Sequence, residues 1–333
     1  MKKRLSFLLF SIILLSVSCS DTKGRYKKID LSDVPEVNID IHRYEVALFS
    51  IEPDHFSNGI EEIAEEFKIF LGDNYKTPQS IFQLIDFMDN PIHQDAWFAC
   101  QEKYKDIEWL RKELADGFHR YRYFYPATND ITLYTYISGY NWENSIHILE
   151  DTIVVGLDNY LGANFEVYQN LQIPQYIAEL MDKDYIVVDI FKEYIESYAQ
   201  YDQQKVLIDY MIAAGKTYYF LDILLPRVSK EHKIGYTPVQ MQFCQNNEDL
   251  IWQFFIEQNI LFSSDYKNIR AFILNAPFTN GFSFESPGRI GQWIGWQIVV
   301  SYMNKNKDIT LQELMVETDY SKILQNSGYK PKR

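Results

Sequence analysis

In the middle of the chain, Ile131-Thr132-Leu133-Tyr134-Thr135-Tyr136-Ile137 concentrates β-branched and aromatic residues. After a polar turn, Ile153-Val154-Val155-Gly156-Leu157 does the same. Side chains of these kinds fit a pleated, half-buried backbone, so both segments read as strands of a small sheet. A third strand is expected within residues 37–49, where Val37, Ile39 and Ile41 alternate with polar residues. Elsewhere the apolar spacing is helical. Ile60, Ile63, Ala64, Phe67 and Leu71 share a helix face that Gly72 closes. Thr77-Pro78 opens a second helix as cap and first-turn proline. Trp109, Leu110, Leu114 and Phe118 mark a third, ending near Tyr121. Further helices are predicted over residues 185–198, 203–221, 247–258 and 287–304. In the 203–221 helix, Val206, Leu207, Tyr210, Met211, Ala214 and Leu221 cover one face. Thr310 with Glu313 makes a capping box for the last helix. With no repeat, low-complexity segment or Gly/Ser linker after residue 35, the expected fold is one α+β domain, mostly helical, with a small antiparallel or mixed sheet. At 47% hydrophobic residues, a sizeable core is expected.

The first residues restrict where that domain works. Met1-Lys2-Lys3-Arg4 precedes an apolar run from Leu5 to Val17, then Ser18-Cys19-Ser20. A basic start, a short apolar stretch and a small residue before the cleavage point form an export signal. The run is shorter than the about 20 residues needed to cross a bilayer. A thiol at the cleavage point is what a lipoprotein needs, because it receives the diacylglycerol. Residues 1–18 are therefore expected to be a lipoprotein signal peptide. Residues 19–35 are read as the lipidated Cys19 and a polar tether, and residues 36–333 as a single globular domain. Ser20, with Asp21 one place later, favours the outer membrane within the cell envelope. The net charge of −14, made more negative by removal of Lys2, Lys3 and Arg4, argues against nucleic acid or an anionic bilayer as partner. Attachment is expected through the lipid alone, which needs more than one chain to hold. Protein partners in the envelope are expected. The two cysteines of the body, Cys100 and Cys244, are expected as buried thiols rather than a disulfide.

Few residues point to chemistry. The histidines, His42, His55, His93, His119, His147 and His232, include no pair four residues apart, and HExxH, CxxC and GxSxG are all missing. Neither metal nor cofactor is expected. Asp158, with Asn159-Tyr160-Leu161-Gly162, follows a strand directly. Turn chemistry is the favoured reading there, ahead of a ligand-orienting role. Gly215-Lys216 lies inside a predicted helix without the pattern of a phosphate loop. Gly215 is expected to let another helix approach closely. In Ser286-Pro287-Gly288-Arg289-Ile290-Gly291-Gln292-Trp293-Ile294-Gly295-Trp296, Ser286 is expected to cap and Pro287 to begin a helix. Gly288, Gly291 and Gly295 form one small-residue stripe. Two readings of Arg289 stand side by side: with the first-turn amides it receives an anion, or it pairs with an internal carboxylate. Asp158, Tyr160, Lys216, Arg289 and Gln292 make the candidate pocket.

The motifs also occur in a recognisable order. The export start, Thr135-Tyr136-Ile137-Ser138-Gly139, residues 158–162, Gly215-Lys216-Thr217-Tyr218-Tyr219-Phe220, Leu224-Leu225-Pro226, Ile234-Gly235-Tyr236-Thr237, Asn247-Glu248-Asp249-Leu250-Ile251-Trp252, residues 286–296 and Tyr329-Lys330-Pro331 together resemble the gliding motility-associated lipoprotein B (GldB) family of Bacteroidota. The likeness runs from about residue 37 to 332. It implies a part in cell-surface gliding and associated envelope machinery, with no established chemistry. The layout of two strands, the 203–221 helix and a later glycine-bearing helix is also similar to some zincin-type zinc peptidases. Where those carry HExxH, this chain has Asp209-Tyr210-Met211-Ile212-Ala213-Ala214-Gly215-Lys216 and no histidine. A zincin-like domain without the zinc site is the implied fold. Three functions follow: a non-catalytic envelope lipoprotein; a peptide or cell-wall hydrolase with Asp158, Lys216 and Arg289 in one cleft; or a glycan-binding module using exposed Trp293 or Trp296.

Overall fold

The structure is a computed structural model that describes Tyr26, residues 29–199 and residues 204–331. Cys19, the expected lipidation site, lies outside the described residues. Four strands form one sheet in the order β1-β2-β4-β3: β1 Ile39–Arg43, β2 Ile131–Tyr136, β3 Ile146–Leu149 and β4 Thr152–Gly156. β1, β2 and β4 are parallel, with Ile41 beside Leu133 and Leu133 beside Ile153, while β3 runs antiparallel to β4. The chain between β1 and β2 returns through helices, as a parallel pair requires.

The alternation in β2 sorts its side chains between two cores. Ile131 and Leu133 enter the main core. Tyr134 and Tyr136 lie against a smaller one built from Tyr44, Leu48, Phe56, Ile60 and Phe67. β3 has no marker in the sequence at its turn, because Glu150 takes a positive φ of 54° where Gly or Asn would be the usual sign. The expected helix over residues 60–71 is two pieces, Phe56–Ile63 and Lys68–Leu71. Phe67, buried at their junction in the small core, turns the chain between them. Gly72, at φ 62°, ends the second piece as expected.

The helix Leu207–Leu224 is the centre of the molecule. It is buried on nearly every side rather than on the single face expected, with even Asp209, Lys216 and Thr217 enclosed. Its main neighbours are the helices Ile290–Lys305, Ile186–Tyr198, Tyr320–Ser327 and Glu108–Phe124. The strand-flanked helix that a zincin-like layout requires is therefore not formed among the described residues. The central helix faces the glycine-bearing helix, but it is framed by helices where strands would flank it, because a helix apolar all round needs cover all round.

Gly215 and Gly295 explain how those two helices meet. A Cβ on Gly215 would stand 2.3 Å from the Gly295 carbonyl oxygen, and one on Gly295 would stand 1.6 Å from that of Met211. The backbones touch, as expected for Gly215. The glycine helix starts later than expected, at Ile290, with Arg289 as N-cap at φ 62°. Ser286 and Pro287 do not cap or begin it. The Ser286 hydroxyl donates to the Ser283 carbonyl (2.7 Å), and the Pro287 carbonyl accepts from the Thr279 hydroxyl (2.6 Å), so both pin the preceding loop instead.

The Thr77 cap and the Thr310–Glu313 capping box form as expected. Cys100 and Cys244 are free, buried thiols, and burial pushes both pKa values up, that of Cys244 to about 12. Residues 29–35, expected within the tether, run along the body. His119 Nε2 meets the Val34 carbonyl at 2.8 Å, Arg122 donates to the carbonyls of Pro35 and Glu36, and Ile29 packs on the core. Among the described residues, no helix is long and apolar enough to cross a membrane.

Candidate functional site

A recessed cleft of about 290 Å³ opens beyond the carboxyl ends of β2 and β4. Its first wall comes from the loops after those strands and from the helix Ile186–Tyr198: Ser145, Asn159, Tyr160, Asp189, Lys192 and Glu193. The opposite wall carries Gly235, Asn275 and Arg289. A second cavity of about 490 Å³ adjoins it, sharing Leu180, Tyr185, His232, Gly235, Asn275 and Arg289.

Asp158 anchors the first wall from beneath. It is fully buried at 0% exposure, and its carboxylate accepts from the Ser138 amide (2.8 Å), the Ser138 hydroxyl (3.0 Å) and the Tyr140 amide (2.6 Å). Those bonds hold Gly139 and Tyr140 at positive φ, so Asp158 fixes the distant turn after β2 rather than capping its own backbone as the local turn reading expects. Asn159 donates from Nδ2 to the Ser138 hydroxyl and the Asn141 carbonyl, leaving its buried Oδ1 without a partner. Tyr160 donates its hydroxyl to Asp189 at 3.1 Å, with the Ser145 hydroxyl also at 3.1 Å. Its carbonyl accepts from Tyr104 at 2.6 Å. Burial raises the Asp189 pKa to about 6, against the opposing pull of the Lys192 charge, the Tyr160 hydroxyl and the Arg289 charge. Asp189 keeps some accessible surface, yet it lies deep enough for desolvation to dominate.

The loop 286–289 seats Arg289 on the other wall. Tyr236 donates its hydroxyl to the Gly288 carbonyl (2.7 Å), and a Cβ on Gly288 would meet the Ala276 carbonyl at 2.3 Å. The Arg289 guanidinium lies over the Tyr236 ring, 5.5 Å from its centroid, and donates from Nη2 to the Gly235 carbonyl at 3.2 Å. It is 8% exposed and makes no ion pair among the described residues. Of the two expected readings, the internal carboxylate is therefore not formed. Gly235 at φ 69° leaves the room: a Cβ there would lie 3.2 Å from Nη2.

Of the five expected pocket residues, the structure brings Tyr160 and Arg289 into one cleft, with Asp158 just beneath its wall. Gln292 turns inward, accepting from the Tyr218 hydroxyl (2.6 Å) and donating to the Ile273 carbonyl (2.7 Å). Lys216 lies elsewhere, donating to the Glu317 carbonyl (2.9 Å) with the Tyr320 ring beside it. A cleft shared by Asp158, Lys216 and Arg289 does not exist. Trp293 and Trp296 are both buried, which removes the exposed indoles of the glycan-binding reading. Among the described residues, no three His, Cys, Asp or Glu side chains are grouped to hold a metal ion. Asn159, Asp189, Lys192 and Glu193 were not expected. The one signal for the last three is a charged cluster breaking the apolar run Ile186-Val187-Val188-Asp189-Ile190-Phe191-Lys192-Glu193.

Fold and site together define a mostly helical α+β body with a polar, ligand-sized cleft at the ends of its parallel strands. The chain belongs to the gliding motility protein GldB family, whose model matches residues 25–331. No curated protein and no solved structure is a match to it.

Proposed function

We propose that the protein is a lipid-anchored lipoprotein of the cell envelope, held at the outer membrane by acyl chains on Cys19. It serves gliding motility or the associated surface and secretion machinery, with envelope proteins as partners, and it works by binding rather than by catalysis. The observation that carries this reading is the extent of the family match, which takes in residues 25–331 and so all but the last two residues of the expected body. The export signal ending at Cys19 supports the anchoring.

The cleft supports binding. Its one hydroxyl nucleophile near an acid is Ser145, and what separates it from Asp189 is the Tyr160 hydroxyl. Burial raises the Tyr160 pKa well above the ordinary phenol value, so that phenol is a poor base for activating Ser145. Deleting the gene in its host should abolish gliding and surface secretion, and the full chain supplied in trans should restore both. Motility and secretion left intact by the deletion would refute the proposed role.

A further inference from the structure

We infer that the cleft between Asp189 and Arg289 is a binding site for a small zwitterion, a free amino acid or a short peptide with free termini. Its carboxylate seats on Arg289 and its ammonium group lies against Asp189 and Glu193.

The case begins with what Arg289 lacks. A guanidinium has five N–H donors, and burial is costly unless they are used and the charge is offset. Arg289 is 8% exposed, yet among the described residues the one hydrogen bond of its guanidinium goes to a neutral carbonyl. A carboxylate is the ligand group that matches a planar fork of donors. The loop beneath it is held by the Tyr236–Gly288 and Thr279–Pro287 hydrogen bonds, so the guanidinium is presented rather than left to wander.

The facing wall offers the opposite chemistry. Among the described residues Asp189 receives a single side-chain donor, from Tyr160, where an ionised carboxylate has room for about four. Asn159 contributes a buried Oδ1 with no partner among the described residues, and the Asn141 carbonyl, which can only accept, fixes which end of that amide is oxygen. Glu193 stands one helical turn beyond Asp189. Glu143, on the loop after β2, also lines the cleft, so Lys192 offsets one of three carboxylates and leaves this wall two negative charges in excess. On the other side, Lys233 is already paired with Asp222 at 2.8 Å, so Arg289 is the cation left for a ligand. Asp189 and Arg289 feel each other's charge but do not close an ion pair.

A simple anion would satisfy Arg289 and bring a second negative charge towards Asp189. A simple cation would do the reverse. A molecule carrying both charges answers both walls. The space of about 290 Å³ suits a small molecule.

The test is calorimetric titration of the full chain, purified in detergent, with alanine, dialanine and trialanine at neutral pH. At least one should bind saturably. Its methyl ester, which lacks the anion, and its N-acetyl form, which lacks the cation, should each bind at least about tenfold more weakly. Arg289→Gln should weaken the free ligand by a similar factor and leave the ester's weak binding unchanged. No binding by any of the three up to ~10 mM, or an ester that binds as well as the free acid, overturns the inference. The ligand-side comparison on the wild-type protein decides the matter even if Arg289→Gln fails to fold. A negative result removes this ligand and leaves the proposed anchoring and motility role standing, since neither enters the measurement.

Discussion

Lys216 is held in an environment that resists its charge. It is 1% exposed, and desolvation lowers its pKa to about 8, opposed by the nearby Glu317 charge. Between that value and the ordinary 10.5, the unfolded chain binds a proton that the folded protein does not. Stability therefore rises with pH across this window, by at most about 3 kcal/mol for a gap of this size. Measured as unfolding free energy, the advantage of the wild type over Lys216→Met should grow between pH 7.5 and pH 10. A difference that stays flat would show that Lys216 keeps its proton in the fold. Nothing in the sequence could distinguish this lysine from a ligand-binding one. Its role depends on Glu317 and Tyr320, about a hundred positions away, and separation in sequence carries no sign of contact. Asp158 was only half readable: a strand-end Asp-Asn signals a turn, but the turn it holds is that of Ser138 and Tyr140 after the neighbouring strand, about twenty positions away. Asp189 was hidden, because an acid in an apolar helix reads as a surface position until the cleft is seen.

At the level of elements, legibility follows how local the cause is. The Thr77 and Thr310 caps were readable because a cap is settled within four residues. Ser286-Pro287 carries the same local signal, yet the Ser286 hydroxyl turns back to the Ser283 carbonyl and Thr279 donates to the Pro287 carbonyl, so both residues stay in a loop and the helix is delayed to Ile290. The contact between the central and glycine helices lies between these cases: sequence can supply the small residues but not which of them meet. Gly295→Ala would force a methyl group into the Met211 carbonyl, a backbone atom that cannot swing aside. It should destabilise the protein by about 3 kcal/mol or more, at the upper end of overpacking costs. Gly328→Ala is the control. At φ 57° and ψ 27° it lies in the left-handed helical region, and its Cβ would meet only the far end of the Lys305 side chain, which can swing aside, so the loss should be nearer ~1 kcal/mol. Urea unfolding of both variants tests the helix contact. Equal losses would mean that the two backbones do not touch.

On the scale of the whole molecule, the sheet divides a small aromatic core from a large helical one, and the chain before β1 lies along the body. That placement sharpens the proposed anchoring. With Ile29 packed on the core, the stretch from Cys19 to Ile29 can reach at most about 35 Å even when fully extended. A lipid on Cys19 would therefore hold the body close to the bilayer. An acidic body gains nothing from an anionic surface, so the acyl chains would have to supply the attachment themselves. Cys19→Ala should accordingly move the protein from the membrane fraction to the soluble one. It should also leave the thermal unfolding midpoint unchanged, because the bonds from His119 and Arg122 that dock residues 34–36 do not involve the lipid. Retention of the variant on membranes after a high-salt wash would show a second attachment made by the body. A lowered midpoint in the released protein would show that the lipid attachment stabilises the fold as well as tethering it.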